Sequence, residues 1–500
     1  MKHFSVLFNN PELSIIKIKY FAAILIMVFI TSANAQDYND ALRLSQPGIL
    51  TGARALGMGN AYTALSNDLS AAIFNPAGFA QIKNLEFDGS INFNSLSNNT
   101  TFFSNQTQYT STNSNLNQFG FVFPVPTSQG SLVFAFGFSQ NTDFNSIMKF
   151  NGFNPNNNSM IQDLTATNSD LAYYLALSYP LYDAQNNYRK DTTLIKGKLN
   201  QNGHITQEGQ INSWFASGAW EIDKDIFVGA TLDIISGTYK SNRDYFENDF
   251  NNVYANVILD PSDPTTKGLQ TFYLNAMRNL DISGWDAQIG ILAKLDRYVN
   301  IGATIKFPRT YTIKDVYTVN GSSNFTNTPT PFIYGPASDR LEYDVVTPYE
   351  FTLGGAFTGN HITISADVKL IDYTQMEFTN TPSLINSGID WAQRNQDIKD
   401  SMTTVVNINV GAEYSIPYSD VKVRAGFMYA PSAFKNDPSS FNKKYFTIGL
   451  GYEAANNISF NVAYAYGWWK DYGDNYRASL SRTFQDITLE DAVFTMKYNF

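Results

Sequence analysis

Ser131-Leu132-Val133-Phe134-Ala135-Phe136-Gly137-Phe138-Ser139-Gln140 alternates without a break. Leu132, Phe134, Phe136 and Phe138 fall on one face of an extended chain, and Val133, Ala135, Gly137 and Ser139 on the other. A period of two predicts a β-strand. Its length of about ten residues is what a tilted strand needs to cross a bilayer. The pattern recurs. Over residues 361–370, Ile362, Ile364, Ala366, Val368 and Leu370 alternate with His361, Thr363, Ser365, Asp367 and Lys369. Over residues 405–414, Val406, Ile408, Val410, Ala412 and Tyr414 alternate with Asn407, Asn409, Gly411 and Glu413. A soluble sandwich alternates too, but seldom keeps one apolar face through so many strands of this length. The expected fold is all-β, a transmembrane antiparallel β-barrel.

The connections support that reading. Asp223-Lys224-Asp225, Asp296-Arg297-Tyr298, Gly359-Asn360, Tyr418-Ser419-Asp420 and Ala455-Asn456-Asn457 are short and polar. Between the hairpins lie long polar stretches, residues 141–211, 240–280 and 311–347, read as extracellular loops. About fifteen alternating runs can be counted, whereas a barrel of this kind has an even number of strands. The run 171–179 follows Ser169-Asp170, a helix-capping pair, and Leu171, Tyr174, Leu175 and Ser178 sit at helical spacing, so it becomes a loop helix. About fourteen spanning strands remain, or about sixteen if another hides within residues 191–200. Residues 268–280 also carry a helix-like apolar spacing, with Leu269, Phe272, Tyr273, Ala276 and Leu280 on one side. A helix there would either line an entrance or serve loop packing.

At the start, Lys2, Lys17 and Lys19 precede an apolar run from Phe21 to Ile30, and Ala33-Asn34-Ala35 offers small residues for cleavage. Residues 1–35 therefore read as a signal peptide, since the run falls short of the roughly 20 residues a helical span requires. At the other end, Ala492, Phe494, Met496, Tyr498 and Phe500 alternate to a terminal aromatic, the signal expected to engage the outer-membrane insertion machinery. Localisation follows: integral in the outer membrane of a Gram-negative cell, in contact with its lipid. The chain has 15% aromatic residues, no cysteine and a net charge of -10. These exclude disulfides and thiolate chemistry, and an acidic chain without a basic run is not a nucleic-acid binder.

Residues 36–84 do not alternate. They contain Gly52-Ala53-Arg54-Ala55-Leu56-Gly57-Met58-Gly59-Asn60-Ala61-Tyr62-Thr63-Ala64 and then Asn67-Asp68-Leu69-Ser70-Ala71-Ala72-Ile73-Phe74-Asn75-Pro76-Ala77-Gly78. Small residues dominate, Asn67 is placed to cap a short helix, and Asn75-Pro76 ends it. A compact segment of this kind beside a barrel belongs inside the lumen. The two stretches resemble the N-terminal hatch of FadL-type outer-membrane channels. The domains are then a signal peptide (1–35), a hatch (36–84) and a barrel (85–500). The family's hatch motif falls on Asn75, Pro76 and Ala77, followed by Gly78. The resemblance implies passive uptake of hydrophobic small molecules such as long-chain fatty acids. It leaves open a second role found among FadL-like barrels, a PorV-like subunit or shuttle of a secretion complex with a protein partner at the extracellular loops.

No enzyme chemistry is expected. His361 is the one credible base, and Ser365, four strand residues away, lies roughly 13 Å off. No metal or nucleotide motif is present, and no cofactor is expected. Arg309, Lys369, Lys422 and Arg424 fall on lumen-side positions, where they either pin the hatch or receive the carboxylate of an amphipathic ligand.

Overall fold

The computed structural model describes residues 38–500 except 47, 50, 168, 383–388 and 456. The signal-peptide reading of residues 1–35 lies outside the described residues. Fourteen antiparallel staves close one barrel. They are β1 (Glu86–Phe102), β2 (Asn105–Val125), β3a and β3b (Leu132–Asp143 and Ser146–Phe153), β4 (Asn200–Asp223), β5 (Ile226–Asn248) and β6 (Leu269–Lys294). Then come β7a and β7b (Val299–Lys306, Thr310–Phe325), β8a and β8b (Thr328–Val346, Glu350–Thr358), and β9a and β9b (Ile362–Asp372, Glu377–Thr379). The last five are β10 (Thr404–Ser415), β11 (Val421–Ala430), β12 (Lys443–Ala455), β13 (Ile458–Asp474) and β14 (Arg482–Asn499). Each stave pairs with the next, and β14 returns to β1, with Phe87 opposite Tyr498 and Phe93 opposite Ala492. Closure leaves no open edge in the hydrocarbon, where an unpaired peptide group would cost several kcal/mol.

The period-two pattern sorts as expected. On β9a, Ile364 is 50% exposed on the outside while Ser365 is 1% exposed on the inside. Trp214, Trp220, Trp285, Phe446 and Tyr452 are exposed outward as well, in keeping with aromatic girdles at the two interfaces. Phe500 donates its N–H to Leu85 O at 2.8 Å and stacks edge-on against Tyr498.

Three expectations are corrected. The long polar stretches are mostly strand: β4, β5, β6, β7b and β8a run well past the apolar band, and Phe325 and Thr328 close a tight turn between the last two. Residues 268–280 form no entrance helix, because Leu269–Lys294 is a single strand laddered to β5 and β7b. Above the membrane both faces of that strand meet protein or water, so its apolar residues lost the alternation that marks a lipid wall. His204, read as a loop residue, lies in β4 with Nε2 at 3.1 Å from Asp244.

The fifteenth run is indeed a loop helix, Ser169–Tyr174. No spanning strand hides in residues 191–200. Tyr188–Thr192 instead pairs with Tyr179–Tyr182 in a small hairpin outside the barrel sheet.

Candidate functional site

Three layers fill the lumen. The lowest is the hatch. It begins with α2 (Ala53–Gly57; α1, Tyr38–Ser45, belongs to the chamber above) and turns at Gly59 and Asn60, both left-handed at φ 61° and 55°. The next helix, α3 (Ala71–Phe74), starts later than the sequence implied. Asn67 does not cap it; Asp68 Oδ1 accepts from Ser70 N at 3.0 Å, while Asn67 Oδ1 accepts from Arg54.

Asn75 is the keystone. It is extended and fully buried, and its Oδ1 accepts from Ala77 N at 3.1 Å, capping the 3-10 turn Pro76–Gln81. Its Nδ2 donates to Thr63 O at 2.9 Å within the hatch and to Ile291 O at 3.0 Å on β6. One amide thus ties turn, hatch and wall. Pro76 supplies the fixed φ of a first helical position. Gly78 is required by packing, since a Cβ there would sit 1.7 Å from Ser66 O. Replacing Asn75 by Ala is expected to leave the barrel inserted but to loosen the hatch by about 1–3 kcal/mol, the cost of stranding buried partners. Liposomes carrying N75A should leak small solutes at normal barrel abundance; solute retention equal to wild type would remove Asn75 from this role.

The wall receives the hatch in glycine notches, which sequence reasoning missed. A Cβ on Gly411 would lie 2.1 Å from Met58 O, and one on Gly290 would lie 2.1 Å from Asn75 Oδ1. A Cβ on Gly229, Gly302 or Gly426 would lie 2.5, 2.5 or 2.3 Å from hatch backbone. A signal was present: glycine at lumen-facing positions of several staves, in Val228-Gly229, Ile289-Gly290, Ile301-Gly302 and Val410-Gly411.

Charge pins the hatch where glycine admits it. Asp367 Oδ2 accepts from Tyr62 N and Thr63 N, both at 2.9 Å. Glu413 pairs with Arg424 of the wall at 2.6 Å and Arg54 of the hatch at 3.2 Å. Lys422 pairs with Glu453 at 3.2 Å beside a polar cavity of about 220 Å³ between the hatch and β11–β14. Arg309 lies 2.7 Å from Asp286 and 3.6 Å from Glu350, and Lys369 lies 2.8 Å from Glu350. All four lumen cations singled out from sequence therefore hold carboxylates of the protein itself. Only Arg424 reaches the hatch, through Glu413, which also holds Arg54; Arg309, Lys369 and Lys422 pair with carboxylates of the wall.

Above the hatch is an apolar chamber. Leu280, Tyr311, Tyr343, Tyr373 and Trp391 line it with many others, and Ala41, Leu42 and Leu44 of α1 fill it. The helix is anchored by charge. Asp40 lies 2.7 Å from Arg278 and 2.5 Å from Arg43, Arg278 also meets Asp315 at 2.7 Å, and Arg43 covers the ring of Tyr239. Burial alone would raise the Asp40 carboxyl, but Arg278 and Arg43 draw it below its ordinary value. An extracellular helix, Trp391–Ser401, packs on α1 from above.

The third layer is a cap of loops packed on Phe102, Phe150, Tyr245 and Phe272. Glu247 locks it, accepting from Ser159 Oγ at 2.6 Å, Met160 N at 2.8 Å, Gln201 Nε2 at 2.8 Å and Tyr245 OH at 2.9 Å. Among the described residues no group of His, Asp or Glu is arranged to hold a metal ion.

A family model described as "Outer membrane protein transport protein (OMPP1/FadL/TodX)" matches residues 48–500. No curated protein matches. Among solved structures, a Pseudomonas aeruginosa FadL homologue is 12% identical, with 90% of this chain and 98% of that chain covered and a TM-score of 0.57. The P. putida toluene transporter TodX is 14% identical, with 91% and 99% covered and a TM-score of 0.54. At such identities the likeness speaks for the fold.

Proposed function

Because the chain belongs to the OMPP1/FadL/TodX family of outer-membrane transport proteins, we propose that it is a passive channel for hydrophobic small molecules, long-chain fatty acids and monoaromatic hydrocarbons being the classes to test. One observation carries the reading: an apolar chamber stands inside the barrel, between a locked cap and a hatch, filled by an amphipathic helix of the chain itself. A lumen that served only polar solutes would not keep such a surface from water, since burying it gains roughly 25 cal/mol per Å². Transport then requires three movements: the cap admits the ligand, α1 yields the chamber, and the hatch shifts. The reading as a transporter rather than an enzyme rests on the family and on the absence of a base–nucleophile pair among the motifs.

The test compares uptake of radiolabelled toluene and of a long-chain fatty acid by cells with and without the protein. Faster uptake of either class is expected. Equal uptake across both classes would refute the proposal. Assembly is tested separately. If Phe500 is read by the insertion machinery, F500D should lower the amount of heat-modifiable barrel while export to the periplasm is unchanged, and full folded yield would refute that role.

A further inference from the structure

The extracellular cover of the lumen has two parts, and they are held unequally. The part locked by Glu247 has a core of its own, with Leu171, Leu175, Leu177, Ile195 and Leu199 buried against the wall. Besides the four bonds to Glu247, Asn154 Nδ2 donates to Tyr476 OH at 3.2 Å and Tyr254 OH to Gly197 O at 2.8 Å. Ser323 Oγ of β7b donates to Leu175 O as well. This part is fastened at many points.

The other part is the helix Trp391–Ser401, which closes the apolar chamber over α1. Its sequence makes it a one-sided plug. Asp390 caps it, accepting from Gln393 N at 3.0 Å. Trp391 and Ile398, seven residues apart and so on one face, are its buried residues. The outer face is polar and bonded to itself, Gln393 to Asp397 at 2.8 Å and Gln396 to Asp400 at 2.9 Å.

Its two ends are tied differently. At the C-terminal end Lys435 N donates to Ser401 O at 2.8 Å and Thr403 N to Ala433 O at 2.9 Å, and Met402 bridges to Phe434. These are backbone bonds to the segment between β11 and β12, and they form a joint. The N-terminal half is held through side chains. The Trp391 ring lies 5.4 Å from that of Tyr343 and 5.5 Å from that of Phe378. Asn395 clamps β9b, accepting from Phe378 N at 2.8 Å and donating to Phe378 O at 3.0 Å.

The closed position also strands a donor. Trp391 Nε1 is buried and has no acceptor among the described residues, whereas a buried indole N–H ordinarily has one. Swinging the helix outward returns that N–H to water, which offsets part of what the ring loses. The joint touches the helix that fills the chamber, since Phe434 packs edge-on against Tyr38 of α1 at 5.8 Å.

We propose that the helix Trp391–Ser401 is the door of the chamber. It turns outward about residues 401–403, lifting Trp391 off Tyr343 and Phe378, while the part of the cover locked by Glu247 stays shut. What passes the door rests on the transport reading; the swing rests on how the helix is held.

The experiment uses the full-length protein. The chain has no cysteine, so the double variant T379C and N395C carries the only two thiols. It removes the clamp and places a thiol on either side of the seam the clamp closed. Uptake of a radiolabelled long-chain fatty acid or toluene by cells should exceed wild type threefold or more before bridging. A bis-maleimide with a reducible linker should lower it at least tenfold, and reduction should restore it; each single variant, treated alike, controls for bulk. Spin labels on Q393C and E342C in lipid nanodiscs read the swing without ligand. A second, longer distance is expected, its population raised at least threefold when N395A is added. Uptake by wild type equal to that of cells lacking the protein refutes the transport reading. Wild-type uptake that exceeds theirs, with bridging leaving the double variant undiminished, overturns the door alone. So does a single label distance unchanged by N395A.

Discussion

Gly411→Val is expected to insert into the membrane and to leak. The glycine lies on β10 facing the lumen, and a Cβ there would stand 2.1 Å from Met58 O, which is backbone and has no rotamer to adopt. Something must move, and the wall is the stiffer party here, because β10 is laddered on both sides, with Gly411 opposite Ser365 of β9a and Gly426 of β11. The hatch should therefore be displaced, taking with it the Arg54–Glu413 pair on the same side. Gly355→Val provides the control, since a Cβ at Gly355 meets nothing within 4 Å. The readout is solute efflux from proteoliposomes with matched amounts of folded barrel: rapid for G411V, at the wild-type rate for G355V. Equal retention by both would show that the wall yields instead, and the notch argument would fail.

Removing residues 38–45 is expected to have the second large effect, of opposite kind. The deletion withdraws Ala41, Leu42 and Leu44 from the chamber and leaves Arg278 with Asp315 and the Tyr343 hydroxyl. An apolar cavity then opens above an intact hatch. Hydrophobic ligands should bind more tightly to the shortened protein, by an order of magnitude or more if each buried methylene of the helix contributed about 0.8 kcal/mol. Tryptophan quenching by a brominated fatty acid would measure it, and unchanged affinity would mean that α1 does not occupy the ligand's place.

Acid should achieve part of the same release. The Asp40 carboxyl is held below its ordinary value when α1 is docked. A depressed carboxyl contributes docking stability above its undocked pKa of about 3.9, and that contribution is lost as pH falls through the docked value. A spin label on α1 should stay immobile at pH 7 and gain mobility only as pH falls below the undocked value of about 3.9 and on through the lower docked one. Mobility independent of pH would remove Asp40 from the anchoring.

How much of this was legible depends on what each surface faces. Through the bilayer the outside meets lipid and the inside meets water or hatch, so runs such as 132–138 and 406–414 had to alternate, and stave count and register direction followed. Above the bilayer that contrast vanishes. Residues 105–115 and 200–210 are polar on both faces, and 269–280 carry apolar residues inward for the chamber and cap, so strands there looked like loops or a helix. The hatch motif was legible because Asn75, Pro76 and Gly78 act through local geometry. Its receptors were not. Asp40 meets Arg278 across 238 residues of sequence, and Gly411 matters only because Met58 happens to stand opposite.

In three neighbouring staves the regular pairing lapses at one height, at residues 307–309, 347–349 and 373–376. Scattered backbone bonds survive there, such as Phe307 N to Ala287 O at 2.9 Å, and buried ions rivet the gap: Asp286, Arg309, Glu350 and Lys369. In a cask this is a hoop replaced over part of its circumference by bolts. Load applied to the rim is then not passed evenly to the base. The upper wall can deform on this side, about a compliant joint, while the lower wall keeps the round section that seats its plug.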